Sequence, residues 1–233
     1  MIKYLIDWGK KFGFRELFKK PFQIIFAPLI VRFKPRRFFI IDKVKLPLFY
    51  HRYNFTWTKE RAVEIPIAIN FIKKSKGRIL EVGNVLSHYF KPTWDIVDKY
   101  EKARGVLNKD IETFSPSEKY DSIIAISTFE HVGFDSELNP QDSPRKITSA
   151  LKNLKNNCLK KGGRILITTP LGYNPAMDNM AFTNTLGFTK TSFLKKVEKD
   201  RWVQIPVSEA RKISYGKPFP FANGIFVGEY LKK

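Results

Sequence analysis

Acidic and small polar residues recur at the positions where short apolar runs of this 233-residue chain end. Such runs are typical of buried parallel strands, whose carboxyl ends meet at one edge of a sheet and border its ligand sites. A carboxylate after the second strand can accept hydrogen bonds from both hydroxyls of a ribose. A short polar side chain after the third can accept one from an adenine amino group. The residues placed in this way are Glu81, Asp98, Asp110, Ser127, Thr128, Glu130 and His131.

The clearest of these strand ends lies within residues 77–88. Residues 78–82 form an apolar run that contains one acid, Glu81, and Gly83 follows at once. A residue without a Cβ lets the backbone bend sharply or approach a ligand closely. Glu81, Gly83 and the next residue, Asn84, are therefore predicted to border a binding site. An ordinary strand-to-loop turn is the alternative for this stretch, because a single acid at a strand end is often a solvated loop residue.

The apolar runs alternate with helical or loop segments, which indicates an α/β fold with a mostly parallel sheet. The first helix has Thr58 before it as a cap and Pro66 inside it, where we expect a kink. We place the first strand in the centre of the sheet and expect the last two strands to pair as an antiparallel edge. Helices are predicted at 59–74, 141–159 and 191–199, and strands at 78–82, 94–97, 105–107, 122–127, 164–169, 202–205 and 225–230.

The net charge of +20 indicates a polyanionic partner, either nucleic acid or an anionic membrane. Residues 1–45 hold 12 Lys/Arg and 3 Asp/Glu, a net of +9, interleaved with aromatic residues. A helix with one basic and one apolar face can lie in a membrane interface. Packing on the main domain with a solvated basic side is an alternative, and RNA contact is another. The basic face is predicted from Lys11, Arg15 and Lys19, and the apolar face from Leu5, Trp8 and Phe12.

The single cysteine, Cys158, excludes an internal disulfide framework and fits a reducing compartment. The longest apolar stretch of the N-terminal segment, residues 21–31, is too short to span a bilayer. We therefore predict a cytoplasmic protein with peripheral association on the inner face of the membrane. The predicted division is a basic, aromatic-rich extension at residues 1–57 and an α/β domain at residues 58–233.

Several of these segments resemble motifs of the class I S-adenosylmethionine-dependent methyltransferases, over about residues 60–230. The most specific are an Asp before a buried strand with Phe-Glu-His-Val after it, and a Lys-Gly-Gly turn that leads into another strand. The resemblance looks closest to a branch found with cell-surface polysaccharide synthesis. The similar segments are residues 78–83, 95–98, 108–111, 120–132 and 159–167 for the superfamily, and 61–66, 83–89 and 169–175 for the branch.

The resemblance implies a Rossmann-like methyltransferase sandwich with S-adenosyl-L-methionine as cofactor. Asp98 would bind the ribose hydroxyls, while Asp110 and Ile111 would flank the adenine. The family usually has two or three glycines in the first turn, whereas here Gly83 is followed by Asn84, which tolerates the left-handed conformation. The implied cofactor residues are Glu81, Gly83, Asn84, Asp98, Asp110, Ile111, Ser127 and Thr128.

Methyl transfer requires donor and acceptor in line and, for many acceptors, the removal of a proton. His131 is the predicted base, because histidine titrates near neutral pH and this one follows the fourth strand. Glu130 and Asp135 are alternative bases, and His131 could instead only shape the pocket. Tyr173 and Asn174, after the fifth strand, are predicted to line the acceptor side. The three histidines show no metal-ligand spacing, so no metal is expected.

Three functions remain open on this basis. The first is a methyltransferase acting on a saccharide or glycolipid at the membrane face, since aromatic and amide groups suit a polar, ring-shaped acceptor. The second is an RNA methyltransferase, which is less favoured because no basic and aromatic array is found beyond residues 1–45. The third is a non-catalytic protein that keeps the fold and uses its N-terminal segment for binding.

Overall fold

The computed structural model describes residues 14–135 and 142–233, with side chains of the first range described from residue 24 onward. The predicted helix faces that contain Leu5 to Lys19 lie outside the described side chains. Gln141, the first residue of one predicted helix, also lies outside the described ranges. In the described part of the chain, no helix has both the length and the apolar character needed to cross a bilayer.

A sheet of eight strands forms the centre of the structure, and a separate two-stranded hairpin precedes it. The strands are β1 Phe38–Ile41, β2 Val44–Pro47, β3 Ile79–Val82, β4 Asp95–Val97, β5 Val106–Leu107, β6 Tyr120–Ile126, β7 Leu159–Pro170, β8 Lys190–Glu198, β9 Arg201–Ile205 and β10 Gly224–Leu231. The large sheet has the order β5-β4-β3-β6-β7-β10-β8-β9. The first five strands in this order, β5, β4, β3, β6 and β7, are parallel to one another. The remaining pairs, β7–β10, β10–β8 and β8–β9, are antiparallel.

This topology is Rossmann-like: the parallel half has the order 3-2-1-4-5 of a doubly wound sheet, and antiparallel strands continue it. β3 lies between β4 and β6, which confirms the predicted central position of residues 78–82. β6 is buried along almost its whole length, as a strand covered on both faces must be. The predicted α/β fold with a mostly parallel sheet is therefore confirmed.

Helices cover both faces of the sheet, and the sheet divides the apolar core into two clusters. They are α1 Phe14–Phe33, α2 Arg61–Lys73, α3 Ser143–Asn153, α4 Pro175–Thr183 and α5 Val207–Ala210. Ile123 of β6 packs in the cluster that includes Ile147 of α3, while its neighbour Ile124 packs in the cluster that includes Ile65 of α2. Because successive side chains of a strand point to opposite faces, α2 and α3 cover opposite faces of the sheet.

The β1–β2 hairpin is part of the second cluster, where Phe39, Ile41 and Leu46 are buried. At its turn, the Asp42 carboxylate accepts hydrogen bonds from Ser192 Oγ and Gln204 Nε2, both at 2.9 Å. Residues 38–57 thus pack with the main domain. The division of the chain at residue 57 stays a prediction, but residues from both sides of it pack in the same buried cluster.

Two predictions for the C-terminal third are wrong. Residues 191–199 form β8 and not a helix, although Phe193, Leu194 and Val197 have spacings that also suit a helix. The reason is tertiary, because β8 pairs with β10 on one side and β9 on the other. The strands at 202–205 and 225–230 are present, but β8 lies between them, so they do not form the predicted pair.

The predicted helix boundaries also need correction. Helix α2 continues through Pro66 as one element, and Glu60 occupies its N-cap position without a side-chain capping hydrogen bond. Thr58 does not cap it, since its hydroxyl donates to the Phe55 carbonyl oxygen at 3.0 Å. The predicted helix 141–159 ends earlier: α3 is followed by a π-helical turn at Leu154–Cys158, and β7 begins at Leu159.

Candidate functional site

A cavity of about 380 Å³ opens at the carboxyl ends of β3, β4 and β6. This volume lies in the range of about 300–1,000 Å³ that is typical of small-molecule sites. The connections beside it are short, since the β3–β4 link contains only a 3₁₀ turn at Leu86–His88. The predicted site residues that line the cavity are Gly83, Asn84, Asp98, Asp110, Ile111, Ser127, Thr128 and His131.

Gly83 occupies a position that no other residue fits without strain. Its φ is +83°, and a Cβ added to it would lie 2.2 Å from Thr128 Oγ1. The Thr128 hydroxyl lies 3.2 Å from the Val82 carbonyl oxygen and 3.1 Å from that of Ile126, so it is held in place. The absence of a side chain at residue 83 therefore lets the ends of β3 and β6 approach each other beside the cavity.

Glu81 does not line the cavity, contrary to its predicted role. Its side chain is fully buried, and Oε1 accepts hydrogen bonds from the amides of Val85 (3.0 Å) and Leu86 (2.6 Å). Oε2 accepts one from Trp94 Nε1 at 2.8 Å. Burial raises the pKa of the Glu81 carboxyl, and the Leu86 amide opposes that shift. Glu81 holds the loop that carries Gly83, so its effect on the cavity is indirect.

Asp98 lies at the end of β4 and organises the cavity wall. Its Oδ2 accepts from the Asn84 amide at 3.0 Å, and its Oδ1 accepts from the amides of Tyr100 and Glu101, both at 2.8 Å. Asn84 Nδ2 donates to Glu101 Oε1 at 2.7 Å. Glu101 also lines the cavity, which the sequence interpretation missed. The sequence does contain an indication of this role, because Glu101 lies only three residues after Asp98 in the same turn.

Asp110 and Ile111 form another part of the wall, after β5. Asp110 accepts hydrogen bonds from the Glu112 amide and from Lys99 Nζ, both at 2.9 Å. Burial acts to raise the pKa of Asp110, but these two donors outweigh it, and the net shift is downward. The side chain of Ile111 is buried and offers an apolar surface beside the carboxylate.

A buried polar cluster supports the end of β6 from behind the cavity. Ser127 has a φ of +39°, and its hydroxyl donates to the carboxylate of Glu64 in α2 at 2.8 Å. Thr168 Oγ1 also donates to Glu64, and Arg61 NH1 forms an ion pair with it at 2.6 Å. Burial raises the pKa of Glu64, and Arg61 opposes that shift. The sequence interpretation missed Glu64 because an acid inside an apolar helix gives no indication of its partners.

His131 reaches the cavity from the turn after β6, and its ring stacks edge-on against Tyr173 at 5.2 Å between centroids. Its Nδ1 is in hydrogen-bond contact with Asp135 Oδ2, and the Tyr173 hydroxyl donates to the same oxygen at 2.8 Å. A carboxylate can only accept, so this contact favours a proton on Nδ1 and leaves Nε2 as the basic nitrogen. Tyr173 does not itself line the cavity, but its ring contacts His131, which does, and the ring of Tyr215 lies 5.3 Å from that of Tyr173.

Glu130 and Asn174 do not line the cavity. Glu130 is almost fully buried, its Oε1 lies 3.6 Å from His131 Nε2, and its Oε2 has no hydrogen-bond partner among the described residues. Burial, followed by the nearby Glu64, raises the pKa of Glu130 well above its usual value. Asn174 caps α4 through its side-chain oxygen, while its Nδ2 donates to the Glu130 carbonyl oxygen and to Ser143 Oγ. Its predicted contact with an acceptor is therefore replaced by a structural role.

A metal centre finds no support in the described ranges 14–135 and 142–233, where no group of three or more His, Cys, Asp or Glu residues could hold an ion. The chemistry available at the cavity is that of carboxylates, one imidazole, the ammonium groups of Lys99, Lys109 and Lys146, hydroxyls, backbone amides and apolar walls. These groups can bind a nucleoside and accept a proton.

Comparison with known proteins identifies no family, since no family model matches the chain and no curated protein matches it. Several solved structures are similar to part of the chain. The N-methyltransferase NodS from Bradyrhizobium japonicum is 11% identical over 74% of this chain and 87% of its own, with a TM-score of 0.46. A possible histamine N-methyltransferase from Thermotoga maritima is 14% identical over 72% and 87%, with a TM-score of 0.42. A methyltransferase from Archaeoglobus fulgidus is 14% identical over 71% and 90%, also with a TM-score of 0.42.

These likenesses concern the fold and do not bear on activity or acceptor. The strand order of the chain itself is that of a Rossmann-like fold, with antiparallel strands after β7. What the site can do follows from its own residues.

Proposed function

We propose that the chain is an S-adenosyl-L-methionine-dependent methyltransferase. The observation that carries this proposal is the cavity at the carboxyl ends of the central strands, where ligands bind in open α/β sheets. Its lining combines carboxylates with an apolar wall, and Gly83 leaves room that a Cβ would fill. A nucleoside that bears an amino acid tail fits such a mixed lining. When bound, this cofactor supplies a methyl group on a positively charged sulfur.

The cofactor residues that we propose follow the order of the strands. Asp98 would accept from the ribose hydroxyls, and Glu101 is a second carboxylate within the same wall. Asp110 and Ile111 would flank the adenine, one through an acceptor oxygen and the other through an apolar surface. Asp98 already accepts from three backbone amides, so a ribose would use its remaining acceptor capacity. The cofactor assignment extends to Gly83, Asn84, Ser127 and Thr128, which line the same cavity.

His131 is the proposed base. Its Nε2 would accept the proton of the acceptor as the acceptor takes up the methyl group that the cofactor would supply. Asp135 would hold the imidazole in the tautomer that leaves Nε2 free, and the Tyr173 hydroxyl would fix Asp135 in turn. Glu130 lies next to Nε2, so its carboxyl would face the imidazolium that forms.

A saccharide or glycolipid presented at the membrane face, on its cytoplasmic side, is the acceptor class that we propose. The support is a group of three aromatic rings, Phe134, Tyr173 and Tyr215, that lies beside the carboxylate of Asp135 and contacts the cavity through His131. Rings and acceptor oxygens suit a polar, ring-shaped molecule. A nucleobase fits similar groups, so RNA is the competing acceptor.

The test is the release of S-adenosylhomocysteine in the presence of different acceptors. Purified protein would be incubated with the cofactor and, separately, with glycolipid extracts, soluble saccharides and RNA. We expect turnover with the saccharide-containing fractions and its loss in the His131→Gln variant, with cofactor affinity retained. Turnover with RNA and with no saccharide-containing fraction would show that the acceptor is RNA and not a saccharide or glycolipid. Tight cofactor binding with no turnover on any fraction would favour a binding protein of this fold.

A further inference from the structure

Helix α1 exposes large apolar side chains along one face. Ile25 is 70% exposed, Leu29 53% and Phe33 76%. Residues spaced by four lie on one side of a helix, so these three form a continuous apolar stripe toward solvent. Ala27, on another side, is buried. The usual arrangement of a surface helix is the reverse, with the apolar stripe covered.

The β1–β2 hairpin repeats this pattern. Phe38 and Ile40 are 49% and 56% exposed, and they alternate with the buried residues Phe39 and Ile41. A strand with one solvated face normally alternates apolar and polar side chains, whereas both faces of β1 are apolar. Across the outer face, the ammonium of Lys45 lies 4.8 Å from the centre of the Phe38 ring.

Exposed cations connect the two apolar faces. The four residues 34–37 link α1 to β1, and Arg36 and Arg37 within them are exposed, as is Arg32 in the last turn of the helix. We call the exposed side chains of residues 24–45 the apolar–basic surface. Its members used below are Ile25, Leu29, Phe33, Arg36, Arg37, Phe38 and Ile40.

We infer that the apolar–basic surface docks on an anionic lipid bilayer. A bilayer interface accepts aliphatic and aromatic side chains into its acyl boundary while its anionic headgroups attract the flanking arginines. Single-stranded RNA would instead need aromatic faces on which bases stack. Four of the seven large apolar residues exposed here are aliphatic, namely Ile24, Ile25, Leu29 and Ile40, and the other three are Phe26, Phe33 and Phe38. The chemistry of this surface therefore matches a lipid surface better than a nucleic acid.

The attachment of α1 to the main domain determines which edge of the sheet faces the membrane when the protein is docked. Lys34, at the end of the helix, forms an ion pair of 2.6 Å with Asp200, and both side chains are largely buried. Asp200 lies in the turn after β8, and β8 runs parallel to β7 because both are antiparallel to β10. The C-terminal end of the helix is thus fixed at the edge of the sheet where the parallel strands end, which is also the edge that carries the cavity.

Because the cavity and the end of α1 lie at the same edge of the sheet, we expect the acceptor to be a lipid-linked molecule. β8 is three strand positions from β6, or about 14 Å at the usual spacing of neighbouring strands. Docking through α1 and β1 would bring the mouth of the cavity close to the headgroup layer, within reach of an acceptor that is itself lipid-linked. This conclusion about the acceptor rests on the proposed function, whereas docking itself does not.

Sedimentation of the full-length protein with vesicles tests the inference. The vesicles are phosphatidylcholine, alone or in an equimolar mixture with phosphatidylglycerol. We expect binding only to the anionic mixture, and weaker binding as salt rises because the Debye length shortens. The variant Ile25→Gln/Leu29→Gln/Phe33→Gln should lose most binding. The variant Arg36→Gln/Arg37→Gln should weaken it about five-fold for each cation removed, the equivalent of about 1 kcal/mol each.

The controls replace exposed apolar or basic residues by glutamine elsewhere on the protein. Leu231→Gln changes an exposed leucine at the end of β10, with 45% exposure. Lys73→Gln/Lys74→Gln removes two exposed cations at the end of α2. Both controls should bind vesicles as the wild type does.

Equal losses in controls and test variants would show nonspecific attraction and overturn the inference. Undiminished vesicle binding by the triple variant would also overturn it. So would a filter-binding assay of the same proteins with single-stranded RNA, if the test variants lost RNA retention and nothing else. Calorimetric titration of S-adenosylmethionine into the same proteins separates the two proposals: vesicle binding without cofactor binding would keep docking and refute the proposed activity.

Discussion

Replacing Gly83 by alanine imposes two separate costs on the junction between β3 and β6. The first is conformational, because a left-handed residue with a Cβ costs about 1–2 kcal/mol and Gly83 has a φ of +83°. The second is steric. The added Cβ would lie 2.2 Å from Thr128 Oγ1 and 3.0 Å from its Cγ2, and such overpacking typically costs about 1–3 kcal/mol. We therefore expect Gly83→Ala to lower the free energy of unfolding by about 2–5 kcal/mol.

Three further variants, Gly105→Ala, Thr128→Ala and the double variant Gly83→Ala/Thr128→Ala, separate these costs. Gly105 has the same φ of +83° but no atom within 4 Å of its added Cβ, so Gly105→Ala should show only the conformational cost. In a Thr128→Ala background, the closest atom of residue 128 to the new Cβ would be its own Cβ, at 3.1 Å. Gly83→Ala should then cost little more than Gly105→Ala. Thr128→Ala itself loses the hydrogen bond of the Thr128 hydroxyl, which costs about 1 kcal/mol. Both variants with Thr128→Ala share this cost, so it cancels when the effect of Gly83→Ala is measured in that background.

Urea unfolding of the four variants and the wild type measures these differences, with the double-mutant cycle giving the coupling between residues 83 and 128. Equal costs for Gly83→Ala and Gly105→Ala would refute the steric argument. The same result would remove the physical reason why the β3 turn requires a glycine next to the cavity.

Two other residues give predictions that the same assay can check. Asp178 has its pKa raised by burial from 3.8 to about 6, so it stabilises the fold below the lower value and loses that contribution as pH rises through the higher one. The shift corresponds to about 3 kcal/mol at most, so Asp178→Asn should become more stable relative to wild type between about pH 4 and pH 8; a constant difference would contradict this. Glu81→Ala leaves the Leu86 amide and Trp94 Nε1 without their acceptor and should cost about 3–5 kcal/mol, while Glu81→Gln, which keeps one acceptor oxygen, should cost less. A loss of under about 1 kcal/mol for Glu81→Ala would show that this loop does not depend on Glu81.

The sequence predicts the parallel half of the sheet well because its strands are short apolar runs that end at glycine or an acid. Gly83 and Asp98 were found in this way, and both line the cavity. Glu81 shows the limit of the approach. An acid at a strand end can face a ligand or accept from its own loop, and only the positions of the following amides decide between the two.

The two main errors have different causes. Residues 191–199 combine helical spacing with strand-forming residues, and their position between β9 and β10 decides the outcome. The hairpin at residues 38–47 was hidden by the charges around it, although Phe39 and Ile41 alternate with their neighbours at the period of a strand. In that case the signal was present in the sequence. The roles of Glu64 and Asn174 were not, because they depend on partners distant in the chain.

The central claim, that the cavity holds S-adenosylmethionine, is tested most directly by calorimetric titration of the cofactor into wild type, Asp98→Ala and Asp121→Ala. Asp121 is the matched control, because it also accepts a backbone amide, that of Arg78 at 2.8 Å, but lies at the opposite edge of the sheet. The account predicts one bound cofactor per chain and an affinity loss of about ten-fold or more for Asp98→Ala, since a charge-assisted hydrogen bond contributes about 1.5–3 kcal/mol. Asp121→Ala should bind as wild type does. Equal affinities for wild type and Asp98→Ala, or no binding by the wild type, would contradict the claim.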